Sequence, residues 1–164
     1  MISAILAISE NNAIGKDDKL PWPHIPEDMK WFQKITTGHI VVMGSKTWKS
    51  LGAIKPLKNR LNYVFSRKNV KEFNGADGTL SGHIGTTLKS LDEISQEKDV
   101  FVIGGAEIYK QSFDACDKIY ICRVKGEFEG DTFIDVDPIL NDFKLVHDVN
   151  TNEMCYFQVW ERKQ

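Results

Sequence analysis

The stretch VFVIGGAEIYKQSFD, residues 100–114, joins a short apolar run to two glycines and a helix-like segment. Val100–Ile103 is short and rich in β-branched residues, which predicts a buried strand rather than a helix. The glycine pair permits a tight turn, and Ala106–Asp114 then predicts a helix. A strand that runs directly into a helix is the repeating unit of parallel α/β sheets.

The same alternation continues on the N-terminal side of this stretch. Further buried strands are predicted at Ile2–Ser9, Ile40–Met43 and Leu61–Ser66. Helices are predicted between them at Pro26–Thr37, Lys46–Leu51 and Thr87–Gln96. Because parallel strands need crossover connections, this order favours a mostly parallel sheet with helices on both faces.

Beyond residue 114 the pattern changes. Lys118–Lys125, Phe143–Asp148 and Tyr156–Arg162 have strand character, with no strong helix between them. These segments predict antiparallel additions to one edge of the sheet. The expected fold is therefore a single α/β domain over residues 1–164, with a central mostly parallel sheet and an antiparallel C-terminal edge.

Composition excludes several classes of protein. Lys plus Arg number 21 and Asp plus Glu 23, so the formal charge is −2 and there is no broad basic surface for nucleic acid. The first apolar run, Ile2–Ile8, is too short to span a membrane and lacks the features of a signal peptide. Three cysteines without metal-ligand spacing indicate reduced thiols. We expect a cytoplasmic monomer that binds neither nucleic acid nor membrane.

Asp28 is the most informative single residue. In the predicted helix Asp28, Trp31, Phe32 and Ile35 follow the i, i+3, i+4, i+7 spacing of one face. A carboxylate on an apolar face is costly without a partner, so Asp28 is a candidate for holding a cationic or amidine-like ligand. Position alone favours a simpler interpretation, in which an acid in the first turn stabilises the helix dipole.

Several residues after strand ends are candidates for binding phosphate. Gly104-Gly105 precedes a helix N-terminus, where backbone N–H groups attract anions. Lys46 and the run Ser66-Arg67-Lys68 also follow predicted strands. Each feature is equally compatible with an ordinary turn or a solvated surface, and no GxGxxG motif is present. The histidines and the acidic residues near 131–137 lack ligand spacing, so we assign no metal.

Taken together, the motifs resemble those of the dihydrofolate reductase family. The matching segments are Asn12-Ala13-Ile14-Gly15, Leu20-Pro21-Trp22, Pro26-Glu27-Asp28-Met29-Lys30-Trp31-Phe32, Met43-Gly44-Ser45-Lys46-Thr47-Trp48, Pro56-Leu57-Lys58-Asn59-Arg60, Ile103-Gly104-Gly105-Ala106-Glu107-Ile108-Tyr109 and Glu129-Gly130-Asp131-Thr132. They occur in the family's order over nearly the whole chain. The resemblance implies reduction of 7,8-dihydrofolate to tetrahydrofolate with NADPH, and makes antifolate inhibitors plausible ligands.

The resemblance also implies roles for individual residues. Asp28 would hold the pterin, with Trp22 and Leu20 beside the reacting centre, and Arg60 would bind a carboxylate of the glutamate tail. The rest of the substrate pocket would comprise Ile5, Met29, Phe32, Ser50, Leu51, Leu57, Ile103 and Cys122. NADPH would contact Ala7, Ile14, Gly15, Gly44, Ser45, Lys46, Thr47, Ser66, Arg67, Ile103, Gly104, Gly105, Ala106, Ile108, Tyr109 and Thr132. The Gly104–Gly105 peptide would be cis, and residues 12–22 would close over the nicotinamide.

Two departures from the family pattern bear on this assignment. Ser45 stands where many members have Arg, which weakens the expected phosphate site, and Cys122 stands where the family usually has Thr. A related pyrimidine reductase of riboflavin synthesis shares the fold and the cofactor, but Asp28 and Arg60 suit a pterin with a glutamate tail. A non-catalytic nucleotide-binding module is a further alternative, against which Asp28, Trp22 and the glycine pair argue.

Overall fold

The centre of the fold is a sheet in which eight strands are hydrogen-bonded within the residues that the computed structural model describes, 1–67, 73–150 and 152–164. Its strands are β1 (Ile2–Ser9), β3 (Ile40–Gly44), β4 (Leu61–Phe65), β5 (Gly78–Leu80), β6 (Val100–Val102), β7 (Lys118–Val124), β9 (Phe143–Val149) and β10 (Cys155–Arg162). A separate ribbon pairs β2 (Ala13–Gly15) with β8 (Thr132–Phe133).

The helices cover both faces of this sheet. They are α1 (Pro26–Thr36), α2 (Ser45–Ser50), α3 (Ile84–Ser95), α4 (Ala106–Ser112) and the single turn α5 (Asp137–Leu140), with 3₁₀ turns at Gly52–Ile54 and Phe113–Ala115. No helix in the described part of the chain has both the length and the apolar character needed to cross a membrane.

The strand order is β5-β4-β3-β6-β1-β7-β10-β9. Strands β1, β3, β4, β5 and β6 pair in parallel, and β9 and β10 form the antiparallel edge, as the sequence predicts. The prediction for Lys118–Lys125 was wrong in direction, since β7 runs parallel to β1 over its whole length. The reason is α4, which carries the chain back between β6 and β7, as a parallel crossover requires.

The sheet separates two apolar layers, and β7 shows how. Alternate side chains of a strand point to opposite faces. Ile119 and Ile121 pack into the cluster that includes residues of α3, α4 and α5. Tyr120 contacts the opposite layer, which α1 and α2 cover, and Cys122 and Val124 lie in a smaller cluster beside it. The candidate acid lies on this second face, because it belongs to α1.

The boundaries of two helices differ from the predictions, because a local turn and not the apolar pattern determines where each helix begins or ends. Helix α3 begins at Ile84 and not at Thr87, because the His83 ring accepts a hydrogen bond from the Thr86 N–H and caps the helix. Helix α4 ends at Ser112 and continues as a 3₁₀ turn. The remaining predicted boundaries lie within a residue of the observed ones. The short elements β2, β5, β8 and α5 carry too few residues for periodicity to reveal them.

The buried Asn62 fixes the segment that precedes β4. Its side chain is fully shielded from solvent, and its Oδ1 accepts a hydrogen bond from Leu57 N at 2.9 Å. Its Nδ2 donates to the carbonyl oxygens of Leu57 and Arg60 at 2.9 and 3.1 Å. One carboxamide therefore holds the backbone of two candidate substrate-binding residues.

We expect Asn62→Ala to lower the free energy of unfolding by about 2–4 kcal/mol, because it removes these bonds and leaves buried backbone groups unpaired. Urea denaturation measures the change. The matched control is Asn74→Ala at an exposed position, which we expect to change stability by less than about 0.5 kcal/mol. Equal stability of the two variants would show that Asn62 does not hold this segment.

Candidate active site

Asp28 lies buried near the start of α1. Pro26 occupies the first helical position, where its missing N–H costs nothing. The neighbouring Glu27 and Met29 are exposed, whereas Asp28 is only 8% exposed. An acid that served the helix dipole alone would have no reason to be buried, so its location favours the ligand-binding interpretation.

The surroundings of Asp28 are almost entirely apolar. The adjoining cluster contains Trp22, Ile25, Cys122, Val124, Cys155 and Phe157, with Ala7, Trp31 and Phe128 packed against it. Trp31 lies over Phe157 with ring centroids 4.6 Å apart, and Trp22 meets Phe128 edge-on at 5.9 Å. Cys122, which forms a hydrogen bond with Asp28, belongs to this apolar cluster.

The electrostatics follow from this burial. Loss of hydration raises the pKa of Asp28, and this effect exceeds all others. A hydrogen bond from the Cys122 thiol and the charge of His24 both lower that pKa. A thiol is a weak donor, so the protein itself offers the carboxylate little compensation. The site can therefore reward a ligand that presents hydrogen-bond donors or positive charge.

Trp22 contributes a second unsatisfied polar group. Its side chain is 5% exposed, and its buried Nε1 has no hydrogen-bond partner among the described residues. Buried donors are nearly always satisfied in folded proteins, so this nitrogen indicates a site for water or ligand.

The predicted substrate residues fall into two groups. Ile5 and Leu57 are buried in the cluster beneath α1 and α2, with Phe32, Leu51 and Ile103 packed against it. Leu20, Met29 and Ser50 are exposed instead, and the first two are 47% and 40% exposed. The structure thus brings five of the predicted residues together and leaves these three at the surface.

Arg60 is fixed at the edge of this group. Its Nε donates to the Lys58 carbonyl at 2.9 Å and its Nη1 to Thr36 Oγ1 at 3.1 Å. The guanidinium lies 5.9 Å from the centre of the Phe32 ring. Partial burial lowers the pKa of Arg60. The guanidinium nevertheless remains charged at neutral pH, because the pKa of arginine lies far above it. A held, charged guanidinium is suited to a carboxylate.

The glycines predicted to bind phosphate meet at the carboxyl ends of β3 and β6. Gly44 N donates to Gly104 O at 2.8 Å, and the Gly104–Gly105 peptide is cis, as the resemblance implies. A Cβ at Gly44 would lie 3.1 Å from Ile108, and one at Gly105 would lie 3.7 Å from Thr47 Oγ1. Gly44 therefore packs closely against α4, whereas a Cβ at Gly105 would make an ordinary van der Waals contact.

Tyr109 lies behind the glycines and not in the open part of the site. Its hydroxyl donates to the Ile5 carbonyl at 2.7 Å, and its ring would lie 3.3 Å from a Cβ at Gly104. Burial raises the pKa of Tyr109, so the hydroxyl stays protonated and keeps this bond. The role of Tyr109 in the structure is support of the glycine backbone.

The other predicted cofactor residues line or flank this end of the sheet. Lys46 and Arg67 are exposed, and Ser66 is partly buried, whereas Lys68 lies outside the described residues. Gly15 and Thr132 face each other across the small ribbon. The remaining members are partly buried, namely Ala7, Ile14, Ser45, Thr47, Ala106 and Ile108.

In the cluster that contains Trp22 and Cys122, the sequence did not single out Phe128, Cys155 and Phe157. The last two alternate along β10 and reach the site because that strand pairs with β7, opposite Cys122 and Val124. Strand register between distant segments is not a local property, so no signal in the sequence identified them.

Comparison with known proteins agrees with this geometry. The family model described as dihydrofolate reductase matches residues 1–162. The chain belongs to the dihydrofolate reductase family. Its members are NADPH-dependent oxidoreductases that reduce dihydrofolate, and this chain is such an enzyme. The resemblance and the fold class predicted from the sequence are thereby confirmed, and the two alternative functions are set aside.

Individual relatives span most of the chain. A dihydrofolate reductase from Bacillus subtilis (strain 168) is 43% identical over 132 residues, 80% of this chain and 73% of that protein. One from Haemophilus influenzae is 38% identical over 136 residues, 80% of this chain and 76% of that protein. A solved dihydrofolate reductase from Enterococcus faecalis, complexed with NADP(H) and RAB-propyl, superposes with a TM-score of 0.84 at 26% identity. It covers 100% of this chain and 97% of that one.

The Cys122 thiol gives a direct test of the electrostatics in this reductase. We expect Cys122→Thr to lower the pH midpoint of Asp28 by a few tenths of a unit to about one unit, because a hydroxyl is the better donor to a carboxylate. The pH dependence of the hydride-transfer rate measures the midpoint. The control, Cys122→Val, removes the donor and should raise it. Coincident midpoints would mean that the thiol does not influence Asp28.

Proposed function

We propose that Asp28 binds and activates the pterin when this enzyme reduces 7,8-dihydrofolate to tetrahydrofolate with NADPH. The observation that carries the proposal is a buried carboxylate in an apolar wall, whose compensation from the protein is chiefly one weak thiol donor. A pterin supplies what is missing, since its amidine-like edge offers paired N–H donors to two carboxylate oxygens. The charge on Asp28 then favours a proton on the ring.

The apolar residues near Asp28 would complete the substrate pocket. Ile5, Phe32, Leu51, Leu57 and Ile103 offer flat apolar surface to an aromatic ring. Leu20, Met29 and Ser50, which are exposed here, would contact the ligand from the rim. Arg60 would bind a carboxylate of the glutamate tail, using the Nη2 that has no protein partner in the described part of the chain. Inhibitors that mimic the pterin would bind the same acid.

The glycine backbone fits a dinucleotide. A bound NADPH supplies the hydride. Because Gly44, Gly104 and Gly105 carry no side chains, a dinucleotide could approach this backbone closely, and Ile103 and Ala7 would lie beside the nicotinamide. Lys46, Arg67 and Ser66 would bind the 2′-phosphate, while Ser45, Thr47, Ala106, Ile108 and Tyr109 would hold or support the remaining phosphates. Ile14, Gly15 and Thr132 would contact the nicotinamide side through the small ribbon.

Residues 12–22 would exclude water and assist protonation. Trp22 packs against Phe128, and its unpartnered Nε1 can donate to a water or ligand atom between it and Asp28. Such a water would carry a proton towards the ring nitrogen while the surrounding rings keep bulk solvent out. We also propose that the enzyme is a cytoplasmic monomer that binds neither nucleic acid nor membrane, in keeping with its near-neutral charge.

Asp28→Asn should abolish most dihydrofolate-dependent oxidation of NADPH at neutral pH, because an amide cannot supply the negative charge. The same change should stabilise the fold at pH 7. Burial raises the pKa of Asp28 in the folded protein above its value in the unfolded chain. The contribution of this carboxyl group to the free energy of unfolding is therefore fully present below the unfolded pKa and is lost as the pH rises through the folded pKa. Asn avoids this loss.

NADPH absorbance with and without dihydrofolate measures the loss of turnover in Asp28→Asn. Urea denaturation from pH 3 to pH 7 measures its change in stability. The control is Glu27→Gln at an exposed neighbouring position. An Asn variant with native turnover would overturn the role of Asp28. A stability difference that does not grow with pH would contradict its raised pKa.

Arg60→Ala should weaken dihydrofolate binding by roughly ten- to hundred-fold, the worth of a charge-assisted bidentate pair. NADPH binding should stay unchanged, since Arg60 lies on the opposite side of the site from the glycines. Fluorescence titration of each ligand separates the two constants. Lys58→Ala, which removes an exposed neighbouring charge, serves as the control. If the dissociation constant of dihydrofolate barely changes, the role of Arg60 is limited to its hydrogen bonds with Thr36 and the Lys58 carbonyl.

The enzyme should prefer NADPH over NADH. The double variant Lys46→Ala/Arg67→Ala should reduce the ratio of kcat/KM with NADPH to kcat/KM with NADH by about tenfold. Both cations are exposed and can reach a phosphate that NADH lacks. Ser45 in place of an arginine makes the preference shallower than in relatives with that arginine. Lys49→Ala, on the same helix as Lys46, should leave the ratio unchanged. Equal efficiency of the wild-type enzyme with both cofactors would contradict the assignment.

A further inference from the structure

The chain that follows α1 is hydrogen-bonded to the backbone on both sides of Arg60. Gly38 N donates to Asn59 O at 2.8 Å, and Leu61 N donates to His39 O at 3.0 Å. Arg60 lies between these two bonds, so the position of its Cα is fixed relative to the end of the helix. Its long side chain, however, has several staggered rotamers from which to choose.

Thr36, in the last turn of α1, limits that choice. Its side chain is fully shielded from solvent, and its Oγ1 donates to the Phe32 carbonyl one turn earlier, at 2.8 Å. This bond uses the single hydroxyl hydrogen, so towards any other group the oxygen can only accept. A guanidinium has donors alone, and Arg60 Nη1 donates to Oγ1 at 3.1 Å. The direction of both bonds is thereby determined.

The Lys58 carbonyl holds the guanidinium at a second point, since it accepts a hydrogen bond from Arg60 Nε at 2.9 Å. A planar group that is held at two of its nitrogens has one orientation, so the third nitrogen, Nη2, is aimed in a fixed direction. Nη2 makes no hydrogen bond to any residue that the structure describes. Without the Thr36 hydroxyl, the Lys58 bond alone would leave the guanidinium free to turn about its side-chain bonds.

Helix α1 carries both Asp28 and Thr36. Asp28 lies in its first turn and Thr36 in its last, eight residues further along. At 1.5 Å per residue, this separation is about 12 Å along the helix axis. The helix is thus a rigid spacer between the buried acid and the hydroxyl that holds Arg60.

We propose that Thr36 is a positioning residue for the substrate: its hydroxyl orients the Arg60 guanidinium, so that α1 sets the spacing between the acid that binds the pterin and the arginine that binds the tail. This inference rests on the proposed roles of Asp28 and Arg60. It makes Thr36 a determinant of specificity for pterins that carry a carboxylate on the tail, although Thr36 itself touches neither substrate nor cofactor.

The experiment removes the hydroxyl of Thr36 and keeps the shape of the side chain. Thr36→Val should raise the dissociation constant of dihydrofolate by roughly three- to tenfold, as measured by fluorescence titration. The constants of NADPH and of 6-methyldihydropterin, which has the reducible ring but no tail, should not change. Thr36→Ala also lacks the hydroxyl and should match Thr36→Val, whereas Thr36→Ser keeps the hydroxyl and should restore wild-type binding.

The adjacent threonine supplies a matched control. Thr37 Oγ1 donates to the Gln33 carbonyl at 2.6 Å, the same type of bond to the preceding turn, but among the described residues it makes no bond to Arg60. Thr37→Val should therefore leave dihydrofolate binding unchanged. In an Arg60→Ala background, Thr36→Val should have no further effect. In steady-state assays Thr36→Val should raise the KM of dihydrofolate and leave kcat and the KM of NADPH as they are.

The outcomes separate this inference from the proposed function. Unchanged dihydrofolate binding in Thr36→Val and Thr36→Ala, with weaker binding in Arg60→Ala, would overturn the positioning role alone. Equal weakening of 6-methyldihydropterin, or an equal loss in the Arg60→Ala background, would show that Thr36 acts through the packing of α1 and would also overturn it. Unchanged binding in Arg60→Ala would remove the proposed role of Arg60 and this inference with it. Failure of the role of Asp28 would appear separately, as native turnover in Asp28→Asn.

Discussion

A single carboxylate in an apolar wall is the constraint on which the rest of this site depends. Asp28 can stay buried only if α1 is held firmly against the sheet, and the helix achieves this with the large side chains that share its face, Trp31, Phe32 and Ile35. These side chains are partly buried, so each contributes less than the about 1.5–3 kcal/mol of a fully buried one. Together they hold the helix against the sheet in spite of the desolvation of the acid. The helix gives up some stability at Asp28, as functional sites commonly do.

The glycine region depends on close packing and not on a buried charge. A hydrogen bond between Gly44 and Gly104 joins the carboxyl ends of β3 and β6, and the buried Tyr109 lies against Gly104. The missing side chains let α4 pack closely against the ends of these two strands. Parallel strands make this arrangement possible, because their carboxyl ends lie at one edge of the sheet.

Local pattern predicted much of this fold. The continuous apolar runs identified the buried parallel strands, and helical spacing placed Asp28 on the same face as Trp31 and Phe32. What it could not predict was decided by distant contacts and, at the start of α3, by a local cap. The direction of β7 depends on the crossover through α4, the start of α3 depends on one histidine cap, and the place of Cys155 depends on the register between β7 and β10. The roles of the individual site residues came from the resemblance, since isolated lysines and glycines are common in any protein.

Residues 12–22, which we propose close over the site, are attached to the rest of the domain by a few polar contacts and one apolar contact. Lys16 pairs with Glu129 at 2.9 Å, and Asp17 N donates to Asp131 at 2.8 Å, but these contacts are exposed to solvent. Exposed ion pairs contribute little, because water competes for both partners. The stronger attachment is apolar, through the buried Trp22 against Phe128. Trp22 also keeps a buried donor without a partner among the described residues. If a bound ligand or its water supplies that partner, as in the function proposed above, closure of this segment would be coupled to occupation of the site.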